Sequence, residues 1–201
     1  KKDLDALGDV STINLHINSP GGSVFEGVAI GNMLKQNKAQ VNVFVDGLAA
    51  SIASVIAMAG DHIAMPANAM MMIHNPWSYV VGNAADMRKE ADDLDHINES
   101  MKQTYLAKAG DKLDTDTLGT LMDAETWLSA QEAVGYGLAD EVLEANQAAA
   151  CVSEKLFAKY KHVPAALAGG GDPTPQPGPT PQEPKQPSLL SQKLKILKGS
   201  V

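Results

Sequence analysis

Aromatic side chains are scarce in this sequence: two Trp, four Tyr and three Phe supply 4% of its 201 residues. The core must therefore be assembled from Ala, Val, Ile and Leu and from nine Met, within a hydrophobic share of 44%. Such a core is adequate, because apolar burial contributes roughly 25 cal/mol per Å² whichever side chain supplies it. Cysteine occurs once, at Cys151, which excludes an internal disulfide and is compatible with a reducing compartment. Positive charge is also in short supply. Sixteen Lys and Arg face 24 Asp and Glu, a formal charge of −8, which argues against a general nucleic-acid-binding surface. The longest apolar run, Gly47 to Gly60, falls short of the roughly 20 residues that a spanning helix needs. No signal peptide is legible. A cytoplasmic protein without membrane or nucleic-acid partners is expected. The sequence opens on Lys1 rather than Met, which reads as a fragment boundary.

Proline and glycine are unevenly distributed, and their distribution divides the chain. Residues 1–150 carry the apolar periodicity of a globular domain, and 151–163 read as a short connecting segment. Residues 164–187, "PAALAGGGDPTPQPGPTPQEPKQP", have the composition of a linker that cannot bury a core. Residues 188–201 place Leu189, Leu190, Leu194, Ile196 and Leu197 among lysines. They suit a short amphipathic docking segment, with a frayed tail as the plain alternative.

Within the globular part, strand and helix patterns alternate. In "STINLHIN", Ile13, Leu15 and Ile17 recur at every second position, as in a strand. "SVFEGVAIGNMLKQN" spaces Val24, Val28 and Leu34 as a helix does. "VNVFVDG" reads as a strand closed by a sharp Asp46-Gly47 turn, and "AASIASVIAMAG" as a buried helix. "HIAMPANAMMMIHN" gives two short strands about Pro66-Ala67-Asn68. A long helix follows, running from Asn83 to Gly110, with Met87, Leu94, Ile97, Met101 and Tyr105 as its apolar stripe. Shorter helices are expected at 115–122 and 129–136. The order is that of an α/β fold.

Three features of this frame suit acyl-transfer chemistry. Ser19-Pro20-Gly21-Gly22 joins a strand to a helix, and its glycines permit a backbone turn that aims N–H groups at an anion. An ordinary tight turn is the plain alternative. Ser51 sits near the start of the buried helix, where unpaired N–H groups favour developing negative charge; a cap or small core residue would look the same. A serine needs a base. Of the five histidines, His74 alone closes an apolar strand, Met70-Met71-Met72-Ile73, before Asn75-Pro76. Asp123 and Glu125, after a short helix, are candidates for an acid that orients the imidazole. No metal-ligand cluster and no cofactor are indicated.

The stretches "INSPGGSVFEGVAIGNML", "VDGLAASIASVIAMAG", "MMMIHNPWSYVVGNAADM" and "AETWLSAQEAVGYGLADEV", in that order over residues 11–145, resemble the proteolytic subunit of the Clp proteases (peptidase family S14). They resemble especially the phage and prophage Clp-like head maturation proteases. The resemblance implies a Clp protease/crotonase-like superhelix of repeated ββα units with a long handle helix. It implies a serine endopeptidase with Ser51 as nucleophile and His74 as base, and an oxyanion hole formed by the backbone N–H groups of Gly22 and Ile52. The acid position falls on Glu125, where the family usually has Asp, and Asp123 stands nearby. The implied partners are a polypeptide substrate and further copies in a heptameric or double heptameric ring. An AAA+ unfoldase or phage capsid and scaffold proteins are others. Family members usually carry a strand before the position of Lys1. With the substitution at the acid position, this leaves a weak or inactive assembly protein as the alternative reading.

Overall fold

A computed structural model describes residues 1–145 and 160–164 of the chain, all within one compact unit. The proline-rich stretch beyond Pro164, the terminal amphipathic segment and Cys151 lie outside the described residues. In chain order the elements are α1 (Lys2–Ala6), β1 (Thr12–Ser19), α2 (Val24–Lys35), β2 (Gln40–Ala50), α3 (Ile52–Ala57), β3 (His62–Pro66) and β4 (Met70–Ile73). There follow α4 (Ala84–Ala109), α5 (Thr115–Asp123), β5 (Thr126–Ser129), α6 (Ala130–Gly135) and β6 (Glu141–Leu143).

The α/β order read from the sequence is present, and β2 is its axis. β1 runs parallel to it from Thr12↔Gln40 to Ser19↔Ala49, with a register irregularity after Ile17. β2 pairs with β3 at residues 42–44 and then with β4 at residues 48–50, both parallel. The change of partner along one strand curls the sheet. β6 extends it beside β3, and β5 closes the other end, antiparallel to β4. Alternation sorts the side chains by face. Val41, Val43, Val45, Ala49, Met71, Ile73 and Leu128 join the main core with Met58, Ile63, Met101, Tyr105 and Leu118. Leu48, Ala50 and Met72 point to the other face and form a second, smaller apolar cluster.

Several expectations need correction. Asp46-Gly47 is not a turn: β2 continues through it to Ala50, because the irregularity opposite β1 takes up the kink inside the sheet. Ala49 and Ala50 are consequently strand residues, and α3 begins only at Ile52. β3 and β4 flank the Pro66–Asn68 turn as expected, yet each pairs with β2 rather than with the other. The long helix starts on the Asn83 capping box, whose side chain accepts from Ala85 and Asp86 N–H groups. Of its predicted stripe, Met101 and Tyr105 are buried, but Met87 is 50% exposed, because the helix contacts the domain through its C-terminal half. α1, β5 and β6 were not anticipated; each is six residues or shorter, too brief for periodicity to register.

Candidate active site

The second half of β2, the end of β4 and the turn before β5 meet at one edge of the sheet. Ala50 pairs with Met72, and the next amide, Ser51 N–H, donates to the Met72 carbonyl at 2.9 Å. Two residues beyond Met72, the chain reaches His74, whose Nε2 lies 2.8 Å from Ser51 Oγ. His74 is 7% exposed, so the pair is sheltered on the protein side. The sheet ladder therefore brings together the serine and histidine singled out by sequence. An imidazole at this distance can withdraw the hydroxyl proton as the oxygen attacks a carbonyl.

Ser51 itself has φ 55 and ψ −131. A non-glycine residue held there costs of order 1–3 kcal/mol and persists only where neighbours enforce it. The enforcing contacts are identifiable. The buried Ser54 hydroxyl donates to the Ser51 carbonyl at 2.6 Å, and the Tyr105 hydroxyl of α4 lies 2.7 Å from Ser54 Oγ. With its proton given to the Ser51 carbonyl, Ser54 Oγ accepts from Tyr105. Burial raises the Tyr105 phenol well above its ordinary value, which keeps that donor protonated. The task of Ser54 is thus to hold the carbonyl of the neighbouring nucleophile candidate.

The glycine loop presses directly on the same residue. Gly21 has φ 86, and a Cβ added to it would lie 2.7 Å from the Ala50 carbonyl oxygen and 2.8 Å from Ser51 Cβ. The Gly21 N–H donates to Ser19 Oγ. Gly22 is exposed and its α-carbon has open space around it. A cavity of about 170 Å³ is lined by both Gly22 and Ile52, the two residues whose amides are candidates for an oxyanion hole. Behind it, Gly27 of α2 sits against Ile52 so closely that an added Cβ would fall 2.1 Å from Ile52 Cγ1.

The acidic candidates come from the end of α5 and the turn before β5. Antiparallel pairing runs from Met70↔Ser129 to Ile73↔Thr126, so His74 follows the last paired residue of β4 and Glu125 precedes the first of β5. Glu125 adopts φ 52 at the end of α5, where its N–H donates to the Met122 carbonyl. A glycine or asparagine is the usual tenant of such a position. Its Oε1 accepts the backbone N–H groups of Lys161 and His162, each at 2.7 Å. Asp123 Oδ1 accepts from Asn75 Nδ2 at 2.7 Å. His74, Asn75, Asp123, Glu125, Lys161 and His162 all line one cavity of about 470 Å³. Both acids thus line the histidine's cavity, and Asp123 is bound to the histidine's neighbour.

The model of the Clp protease family matches residues 3–146. The chain belongs to the Clp protease family. The match covers the whole sheet and every helix described above but for the first residue of α1. The curled mixed sheet with its 26-residue helix α4 is the architecture that membership implies. Clp proteases are peptidases that act on polypeptides and generally assemble as rings. Among the described residues, no helix is long and apolar enough to cross a membrane.

One participant escaped the sequence reading. Tyr160, in the segment expected merely to connect, is 8% exposed and stands edge-on to His74, with ring centroids 5.5 Å apart. Nothing in the local sequence signals this, because its partners lie up to 140 residues away.

Proposed function

We propose that this chain is a serine endopeptidase that hydrolyses peptide bonds through an acyl-enzyme. The observation that carries the reading is the 2.8 Å approach of His74 Nε2 to Ser51 Oγ. It is reinforced by the enforced, strained conformation of Ser51 at the mouth of α3. Ser51 attacks the scissile carbonyl while His74 takes its proton. The N–H groups of Gly22 and Ile52 receive the oxyanion. His74 then returns the proton to the leaving amine, and a water activated by the same imidazole releases the acyl group. Glu125 supplies the carboxylate that orients the imidazole, with Asp123 as the nearer-sequence alternative. The left-handed backbone of Glu125, which a glycine would adopt without strain, supports a role for its side chain.

The motif resemblance carries the finer placement: a phage or prophage enzyme of head maturation or general protein turnover, working in the host cytoplasm as a heptameric ring or pair of rings. On this reading residues 1–150 are the peptidase domain and 164–187 a linker. An AAA+ unfoldase or capsid proteins are the partners.

Fluorophosphonate labelling followed by peptide mapping tests the nucleophile. Modification of Ser51 in the wild-type chain, and its loss in Ser51→Ala together with peptide cleavage, is the expected result. Undiminished labelling of Ser51→Ala would reject the assignment. Absence of casein turnover by the purified oligomer would favour an inactive assembly protein instead.

A further inference from the structure

The segment Tyr160–Val163 lies across the cleft just described. Its occupancy is built from both sides. The Tyr160 ring covers the second apolar cluster, formed by Leu48, Ala50 and Met72, with Trp127 and Val163 packed against it. It meets Trp127 edge-on at 5.8 Å as well as His74 at 5.5 Å. Its hydroxyl donates to the Pro20 carbonyl of the Ser-Pro-Gly-Gly loop. On the opposite wall, the Lys161 and His162 amides bind Glu125 Oε1. One short stretch therefore ties together the glycine loop and the acid-bearing turn, the two walls between which a substrate would have to lie.

We infer that Tyr160–Val163 acts in cis as a reversible plug of the active site, its tyrosine seated in an aromatic-accepting subsite formed by Ala50, Met72 and Trp127 beside His74. This rests on the peptidase reading for its consequence but not for its geometry. Three consequences follow for the chemistry. The phenol stands beside the reacting pair: its hydroxyl donates to the Pro20 carbonyl, and burial pushes its pKa up to about 12, so it stays neutral. The carboxylate proposed to steady His74 is engaged by two amides. The apolar face that would receive a substrate side chain is covered. Polypeptide entry requires the segment to leave, and the accessible fraction of sites sets the apparent rate.

The test uses the full-length chain. Tyr160→Ala should raise the rate of fluorophosphonate labelling at Ser51 by about tenfold or more, the factor expected when a mostly occupied site is opened. Tyr160→Phe, which keeps the ring and loses the bond to Pro20, should fall between. A synthetic peptide of residues 158–165 should slow the Tyr160→Ala variant and be inert when its own tyrosine is replaced by alanine. Nitration by tetranitromethane reads the docking independently of catalysis: Tyr79, 86% exposed, should react well ahead of Tyr160. Equal labelling rates in wild type and Tyr160→Ala would overturn the plug, as would nitration of Tyr160 as fast as Tyr79. If no variant labels at all, the peptidase reading falls, and the nitration order alone decides whether the segment is docked.

Discussion

Gly21 and Ser51 are in such close apposition that a single carbon cannot be inserted between them: a β-carbon on Gly21 would lie 2.8 Å from that of Ser51. Gly21→Ala must therefore move either the glycine loop or the nucleophile, and the positive φ of Gly21 adds strain of order 1–3 kcal/mol. Peptide hydrolysis and fluorophosphonate labelling should fall by at least about tenfold, the 1.4 kcal/mol equivalent, in a chain that still folds by circular dichroism. Unchanged labelling would mean that the loop yields without disturbing Ser51.

The two acids are expected to separate by substitution. Glu125→Gln should lower kcat by roughly two orders of magnitude or more, because a neutral amide neither fixes the imidazole tautomer nor stabilises the imidazolium. Asp123→Asn, which alters the partner of Asn75, should cost far less. The reverse order of effects in steady-state kinetics would transfer the role to Asp123.

Tyr105 controls the nucleophile at one remove. Tyr105→Phe removes the donor to Ser54 and leaves a buried oxygen short of a partner, a change worth about 1–3 kcal/mol. Thermal unfolding should record the loss. If Ser54 positions Ser51 as its bond to the Ser51 carbonyl suggests, kcat should drop while KM for a small peptide stays near wild type. A loss of stability with full kcat would make Tyr105 a packing residue only.

Gly27→Ala is predicted to be an overpacking mutation. The new methyl would meet Ile52 Cγ1 at 2.1 Å and Cβ at 3.3 Å, and Ile52 is β-branched and 3% exposed, so it has little freedom to turn aside. A cost of about 1–3 kcal/mol is expected in denaturant titration. Adding Ile52→Val should recover part of it, since one methyl is withdrawn from the contact. Additive losses in the double variant would place the clash elsewhere.

One acid-sensitive cap is identifiable. Glu132 accepts from the N–H and hydroxyl of Ser129 in the capping box of α6, and the Ser129 N–H holds its carboxyl below the ordinary 4.5. A carboxyl depressed in the folded state stabilises above its unfolded value and ceases to do so as pH falls through the folded one. Melting temperatures of wild type and Glu132→Gln should differ at neutral pH and converge below about 4.5. A difference that persists undiminished at pH 3 would show that the bond survives protonation or that the substitution acts by another route.

Much of this arrangement was legible in the sequence, for reasons that differ by element. The Met-Ile run before His74 ends abruptly in polar residues, and that change of character marks the strand terminus at which the imidazole meets Ser51. The Asn83 cap and the 26-residue amphipathic α4 are long enough for local chemistry to decide them. Asp46-Gly47 was misread because the pair usually signals a reversal, whereas here β2 runs on through it to Ala50, between its pairing with β3 at 42–44 and with β4 at 48–50. β5 has only four residues, so its alternation is indistinguishable from a loop, and with it went the ladder with β4 that brings Glu125 to the histidine's cavity. Tyr160 was illegible in principle: its placement depends on Pro20, Met72, Trp127 and Glu125, which become neighbours only after the sheet has formed.

The bond from Ser51 N–H to the Met72 carbonyl has a consequence for how the chain can be studied as it assembles. A slip of one position between β2 and β4 would turn the imidazole to the far side of the sheet, leaving a compact molecule with the same helix content and an unreactive hydroxyl. Covalent capture during refolding would then count correctly threaded molecules, not merely collapsed ones, and its lag behind the recovery of ellipticity would time the moment at which these two strands find their alignment.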